Sequence, residues 1–205
     1  MTSAADPFNQ SDNLFNTLED WTWVGCYGGY YLTSDAMQTA GFEHGFFTRL
    51  WHNRGPDALA AYLSAGVSVH RPHQVHGNLV LNAEHASAPP WPEADCLVSD
   101  RGGQSLWVCG ADCTPVLLAD PSSGHVAACH AGWRGVASGI LPAAIRRLVT
   151  RGAKPEHLIV ALGPAVSGAH YQVETDVAEQ VGQALKSDQS LEQIDMKALG
   201  ILLPD

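Results

Sequence analysis

An α/β fold of the α+β kind, with mixed and largely antiparallel sheets, is what the sequence predicts, and three observations predict it. Between residues 67 and 131 short apolar runs of strand length alternate with turn residues. After Gly135 the apolar spacing becomes that of a helix. The 205 residues are 45% hydrophobic and only 16% charged, enough apolar material to bury a sizeable core and too much for a disordered chain. The expected organisation is a flexible arm over residues 1–20 followed by one domain over residues 21–205.

The arm is polar, rich in Asn and Asp, and without periodicity. From Trp21 to Arg49 aromatic and small residues alternate, with Gly28 and Gly29 set as a turn between antiparallel strands. Leu59, Tyr62 and Leu63 have helical spacing behind Pro56 and Asp57, and Gly66 is a stop signal. Strands are expected at 67–70, 78–83, 94–99, 105–110, 115–119 and 125–131, all in one sheet system, with turns near 100–103 and 120–124. Val136, Ile140, Ala144, Ile145, Leu148 and Val149 then line one helical face. Pro142 is tolerated there if the helix starts near Ser138 or Gly139, and an earlier start implies a kink. A buried strand at 158–163 and an amphipathic helix at 173–186, with Val177, Val181 and Leu185 inward, complete the pattern. Arg146, Arg147, Arg151 and Lys154 fall at a helix C-terminus, where the macrodipole accounts for them without an anion site.

Eleven basic against 21 acidic residues leave a net charge of −10. Such a surface repels phosphate backbones and anionic headgroups, so nucleic acid and membrane are not expected partners, while a small anion in a local basic pocket stays compatible. The first basic side chain is Arg49, so the positive region of a secretory signal is missing. No run approaches the roughly 18 apolar residues of a spanning helix. Five cysteines, an odd number with no C-x-x-C pair, fit a reducing cytoplasm.

Chemistry concentrates in two segments. In VHRPHQVHG, His70, His73 and His76 recur every third residue. Pro72 and the flanking β-branched residues favour extended chain over helix, so at most one or two of the three aim at a common site. In residues 111–135, Asp112 and Cys113 precede a strand and His130 ends the next. If the two strands pair antiparallel through the turn at Pro121 to Gly124, Cys113 and His130 meet at one rim. A thiol beside an imidazole is either an activated nucleophile or a pair of metal ligands. Adding His76 strengthens the metal reading, because three mixed N and S ligands leave open the fourth position of a catalytic zinc site. Arg49, in FFTR, and Arg134, after His130, each offer a planar fork for an anion, and the neighbouring Phe47 and Trp133 offer rings for stacking.

The motifs FFTR (46–49), HQVHG (73–77), ADCTPVLLADP (111–121), HAGWRG (130–135) and LGPAVSGAHYQV (162–173) together resemble the bacterial laccase-domain, or multicopper polyphenol oxidase, family, also described as purine nucleoside phosphorylases with a laccase-type domain. The resemblance covers roughly residues 21–186, and its most specific part is A-D-C paired with H-A-G-W-R-G, with Cys113 and His130 17 residues apart. It implies an α/β/β/α sandwich and zinc held by His76, Cys113 and His130. It further implies phosphorolysis of adenosine, inosine, guanosine and methylthioadenosine, with hydrolytic deamination of adenosine. On that reading the partners are a purine nucleoside and phosphate, Asp112 is a candidate proton shuttle and Arg49 and Arg134 bind phosphate. Because the chain stops at ILLPD, it is expected to lack the family's usual C-terminal segment.

Three alternatives stay open. Copper-dependent polyphenol oxidation is what the family label suggests, but no H-x-H pair exists, and of Met1, Met37 and Met196 none is near His130 in sequence, so copper is not expected. A thiol hydrolase would use Cys113 as nucleophile and His130 as base. A binding module would keep the fold without turnover.

Overall fold

The computed structural model describes residues 18–26 and 28–187. The expected arm, except Leu18 to Asp20, the inward side chain of Leu185 and the chain end at ILLPD lie outside the described residues. The chain divides into two compact units, Met1–Ala65 and Gly66–Asp205.

In the N-terminal unit, β1 (Trp21–Cys26) and β2 (Gly29–Ser34) form an antiparallel hairpin, and the short β3 (Phe46–Phe47) pairs with β2 on its other side. Gly28 takes φ +106 in the turn, as its placement in the sequence predicts. Trp51 is buried and donates from its indole nitrogen to the Tyr30 carbonyl at 2.8 Å. It lies so close to Gly29 that a Cβ there would fall 2.6 Å from that nitrogen. The reading of alternating strands missed helix α1 (Asp35–Thr39), which Asp35 opens and whose Met37 is 1% exposed. Helix α2 (Pro56–Leu63) starts at its proline as expected.

In the C-terminal unit, β5 (Val80–Asn82), β6 (Cys96–Val98), β8 (Thr114–Ala119), β9 (Val126–Ala131) and β10 (Ile159–Leu162) form one sheet in the order β10-β8-β9-β6-β5. The β5–β6 pair is parallel and the others are antiparallel. The expectation of one sheet system is corrected here. β4 (Ser68–His70) and β7 (Gln104–Leu106) pair parallel with each other in a separate two-stranded ladder. Local turn signals do not encode which distant segment a strand will join across a crossover.

The apolar stripe after Gly135 is also split. Helix α3 (Trp133–Ala137) ends, Gly139 turns left-handed at φ +82, and α4 (Ile140–Val149) begins, leaving Pro142 at its third residue. A helix's first N–H groups have no intrahelical acceptor, so the proline costs no hydrogen bond and no kink is needed. Ile140, Ala144 and Leu148 of α4 pack on Cys96, Val98, Val116, Leu118, Ala127 and Cys129 of the sheet. Burying Ile140 and Leu148 contributes about 1.5–3 kcal/mol each. In helix α5 (Thr175–Ser187) the expected inward residues Val177 and Val181 are half-buried, as are Gly182 and Ala184. No helix among the described residues is long and apolar enough to cross a membrane. The molecule is thus a mixed α/β fold with antiparallel and mixed sheets, as predicted.

The β8–β9 turn is held by Asp120, which is fully buried. Its carboxylate accepts from the Ser122 hydroxyl at 2.7 and 2.9 Å and from the Ser123 amide at 3.1 Å. Burial alone would raise its pKa, but these bonds outweigh burial and lower it. An Asp120→Asn variant retains one acceptor oxygen, and the hydroxyl can rotate to adapt. The expected loss is about 1–2 kcal/mol in a denaturation midpoint, and no loss would show that the turn forms without this cap.

Candidate metal centre

The strand period decides which side chains form the site. In β9, Ala127, Cys129 and Ala131 face α4, so His130 points to the opposite face. Thr114 pairs with Ala131 and Pro115 with His130, which brings Cys113, immediately before β8, beside His130 as the predicted hairpin requires. His76 arrives from the loop after β4. The ligating atoms of His76, Cys113 and His130 all lie within 4.8 Å of one another, and the two imidazole rings stand edge to face at 4.7 Å. A tetrahedral zinc with N and S ligands needs separations of about 3.3–3.7 Å. The cluster is thus close to, and at its widest looser than, that spacing, and two nitrogens with one sulfur suit zinc chemically.

The other two histidines of the repeat go elsewhere. His70 is fully buried, bonded through Nδ1 to the Ala83 carbonyl and through Nε2 to the Ser68 hydroxyl. His73 is exposed and bridges Glu93 through its backbone. Hence one of the three reaches the cluster, as extended chain predicts.

Asp95 is the residue that sequence reasoning missed. It is 0% exposed and stands just before β6. His130 Nδ1 donates to its Oδ1 at 2.8 Å, and His76 N donates to the same oxygen at 3.0 Å. Gly77 N and Val75 N donate to Oδ2 at 2.7 and 3.2 Å. Burial pushes this carboxyl up, but the bonds from His130, Gly77, Val75 and His76 together overcome it and hold the group ionised more firmly than usual. His76 sits at φ +60, a left-handed conformation that costs a non-glycine residue about 1–2 kcal/mol. Three amide bonds to an ionised carboxylate offset that cost. A signal existed in the sequence: an acid inside the otherwise apolar ADCLVS run must be paired if it is buried.

Two glycines let the chain crowd the cluster. A Cβ on Gly132 would lie 3.0 Å from Cys113 Sγ and 3.1 Å from His76 Cδ2, and one on Gly135 would lie 2.9 Å from the Gly77 carbonyl. Burial first, then Asp112 and Asp95, push the Cys113 thiol up. A bound cation reverses that, because it favours the thiolate.

The remaining candidates are not among the three clustered residues. Asp112 is exposed, and its carbonyl accepts from Val166 N at 3.1 Å. Arg134 is exposed on α3, not in a loop, and its guanidinium lies 4.4 Å from the centroid of the Trp133 ring, which occupies one face of that ring. Arg49 is exposed in the N-terminal unit, where it opens a 3-10 turn over Arg49–Trp51. Phe47, in the same unit, stacks on Tyr31 at 5.0 Å and meets Trp51 edge-on at 5.4 Å, so it is a packing residue.

A family model described as multi-copper polyphenol oxidoreductase laccase matches residues 52–200. A purine nucleoside phosphorylase of Synechocystis sp. is 40% identical over 177 residues, 83% of this chain and 66% of that protein. One from Deinococcus radiodurans is 44% identical over 110 residues, 54% of this chain and 42% of that protein. The chain therefore spans between about two-fifths and two-thirds of the length of these curated relatives. Among solved structures, YlmD from Geobacillus stearothermophilus matches with a TM-score of 0.62 at 25% identity, covering 78% of this chain and 71% of that one. A Neisseria meningitidis DUF152 protein matches with a TM-score of 0.55 at 25% identity, over 82% of this chain and 72% of that one.

Proposed function

The chain belongs to the multi-copper polyphenol oxidoreductase laccase family, and we propose that it is a zinc-dependent purine nucleoside phosphorylase, acting on adenosine, inosine, guanosine and methylthioadenosine, with adenosine deaminase activity. The observation that carries this reading is the convergence of His76, Cys113 and His130 within 4.8 Å, in a chain similar to proteins named purine nucleoside phosphorylase. Two imidazoles and one thiol suit zinc and a blue copper alike, and zinc is preferred because no H-x-H pair exists in the sequence to build the rest of a multicopper centre.

A zinc ion in this cluster supplies Lewis acidity and a source of hydroxide at neutral pH. In phosphorolysis a phosphate oxygen bonds to the ribose C1′ while the C1′–N9 bond breaks and its electron pair leaves with the purine. In the C-terminal unit Arg134 offers a planar fork for phosphate and Asp112 passes a proton to or from the purine, and Arg49, in the N-terminal unit, is proposed as a further phosphate-binding residue. The raised Cys113 thiol weighs against the rival in which that sulfur, without a cation, attacks as a thiolate.

Elemental analysis combined with chromatography of adenosine digests tests the proposal. Near-stoichiometric zinc is expected, with adenine and ribose 1-phosphate formed when phosphate is present and inosine formed without it. Zinc below about a tenth of an equivalent with no product sinks the reading, since a His/Cys site normally retains its metal. Chelator treatment that leaves turnover intact favours the thiol hydrolase instead.

A further inference from the structure

Among the described residues, the groups that hydrogen-bond to the Asp95 carboxylate are N–H donors: His130 Nδ1 and His76 N on one oxygen, Gly77 N and Val75 N on the other. We propose that Asp95 is the positioning residue of the centre. One carboxylate fixes His130 as the Nδ1–H tautomer, so Nε2 is the nitrogen presented, and it also holds the His76 backbone in its left-handed turn so that both rings reach the same point. For its purpose the inference rests on the metal reading above. For its geometry it does not.

Asp95→Asn is the informative variant. The side chains are nearly the same size, but an amide has one acceptor oxygen and one donor nitrogen. With its oxygen toward Gly77 and Val75, the NH2 faces His76 N and His130. The imidazole can then satisfy it only by accepting at Nδ1, which moves the ring proton to Nε2 and blocks that ligand. With the amide turned over, the NH2 opposes the Val75 and Gly77 amides and displaces the loop that carries His76. Either orientation removes a ligand from the cluster. His70 is an internal control, because the Ala83 carbonyl accepts from its Nδ1 and fixes the same tautomer without involving Asp95.

The experiment is long-range 15N–1H correlation of the imidazoles in metal-free protein, with zinc affinity measured by competition against a chromophoric chelator. In the native protein His130 and His70 are both expected as Nδ1–H. In Asp95→Asn, His130 is expected to move toward Nε2–H, or the Val75 to Gly77 amides to shift, while His70 does not change. Zinc affinity is expected to fall about 10- to 100-fold. A variant with unchanged zinc affinity overturns the proposal whatever its tautomer. If the variant does not fold, the native spectrum decides, since His130 found as Nε2–H contradicts the assignment. A native protein that binds no zinc removes the metal reading, and the tautomer comparison still judges Asp95.

Discussion

Under the proposed zinc-dependent phosphorolysis, Cys113→Ala is expected to abolish zinc binding and to lower adenosine turnover by on the order of a thousandfold or more, with the fold intact. The magnitude follows from losing the several kcal/mol that a metal contributes to charge stabilisation, each 1.4 kcal/mol being about a factor of ten. The fold survives because Cys113 lies just outside β8 and is only half-buried, while the β8–β9 ladder is made by the backbone of Thr114 to Ala119 and Val126 to Ala131. Truncation costs the contacts of one sulfur atom, without opening a cavity in the α4 core. The measurements are zinc per chain, kcat/KM for adenosine with phosphate, and the thermal midpoint. A variant that keeps both zinc and turnover removes Cys113 from the centre. Loss of turnover with zinc retained makes the sulfur a nucleophile instead of a ligand, and chelation of the native protein separates those two roles independently.

The part of the centre that was legible in the sequence is the part encoded by neighbours in the chain. The turn residues from Asp120 to Gly124 predict the hairpin, the hairpin fixes the pairing, and the pairing places Cys113 against His130. Pro72 and the flanking β-branched residues limited the histidine repeat to one or two site residues, and the resemblance carried by HQVHG singled out His76. Asp95 was not, since its four partners come from Val75 to Gly77 and from His130, 35 residues away, and no local pattern states that they will meet. The same limit hid the parallel pairing of β4 with β7. The start of α4 after Gly139 was one of the two readings the sequence allowed, but the separate short α3 was missed for another reason. The apolar stripe runs through both helices, and only the left-handed Gly139 interrupts it.

Gly135→Val tests whether close approach of α3 is what holds the His76 loop. Valine has slightly better helix propensity than glycine, a gain of a few tenths of a kcal/mol. Against this, a Cβ at position 135 lies 2.9 Å from the Gly77 carbonyl and 3.4 Å from Ile140 Cγ2, before the valine methyls are added. The first of these is a backbone atom and cannot rotate away. Gly77 is tied through its own N–H to Asp95 at 2.7 Å, and the adjacent Asn78 is tied through Nδ2 to the Ser138 carbonyl at 2.6 Å, so the loop yields only by losing those bonds. Overpacking of this kind costs about 1–3 kcal/mol, which exceeds the propensity gain and sets the sign. The denaturation midpoint is therefore expected to drop and zinc affinity to fall with it, because His76 precedes the displaced residue. Gly168 is the control: a Cβ there meets nothing within 4 Å, so Gly168→Val removes a glycine without the collision and leaves zinc affinity unchanged. If valine at 135 leaves both stability and zinc affinity at native values, the α3 contact at Gly135 is incidental and the loop is held by its hydrogen bonds.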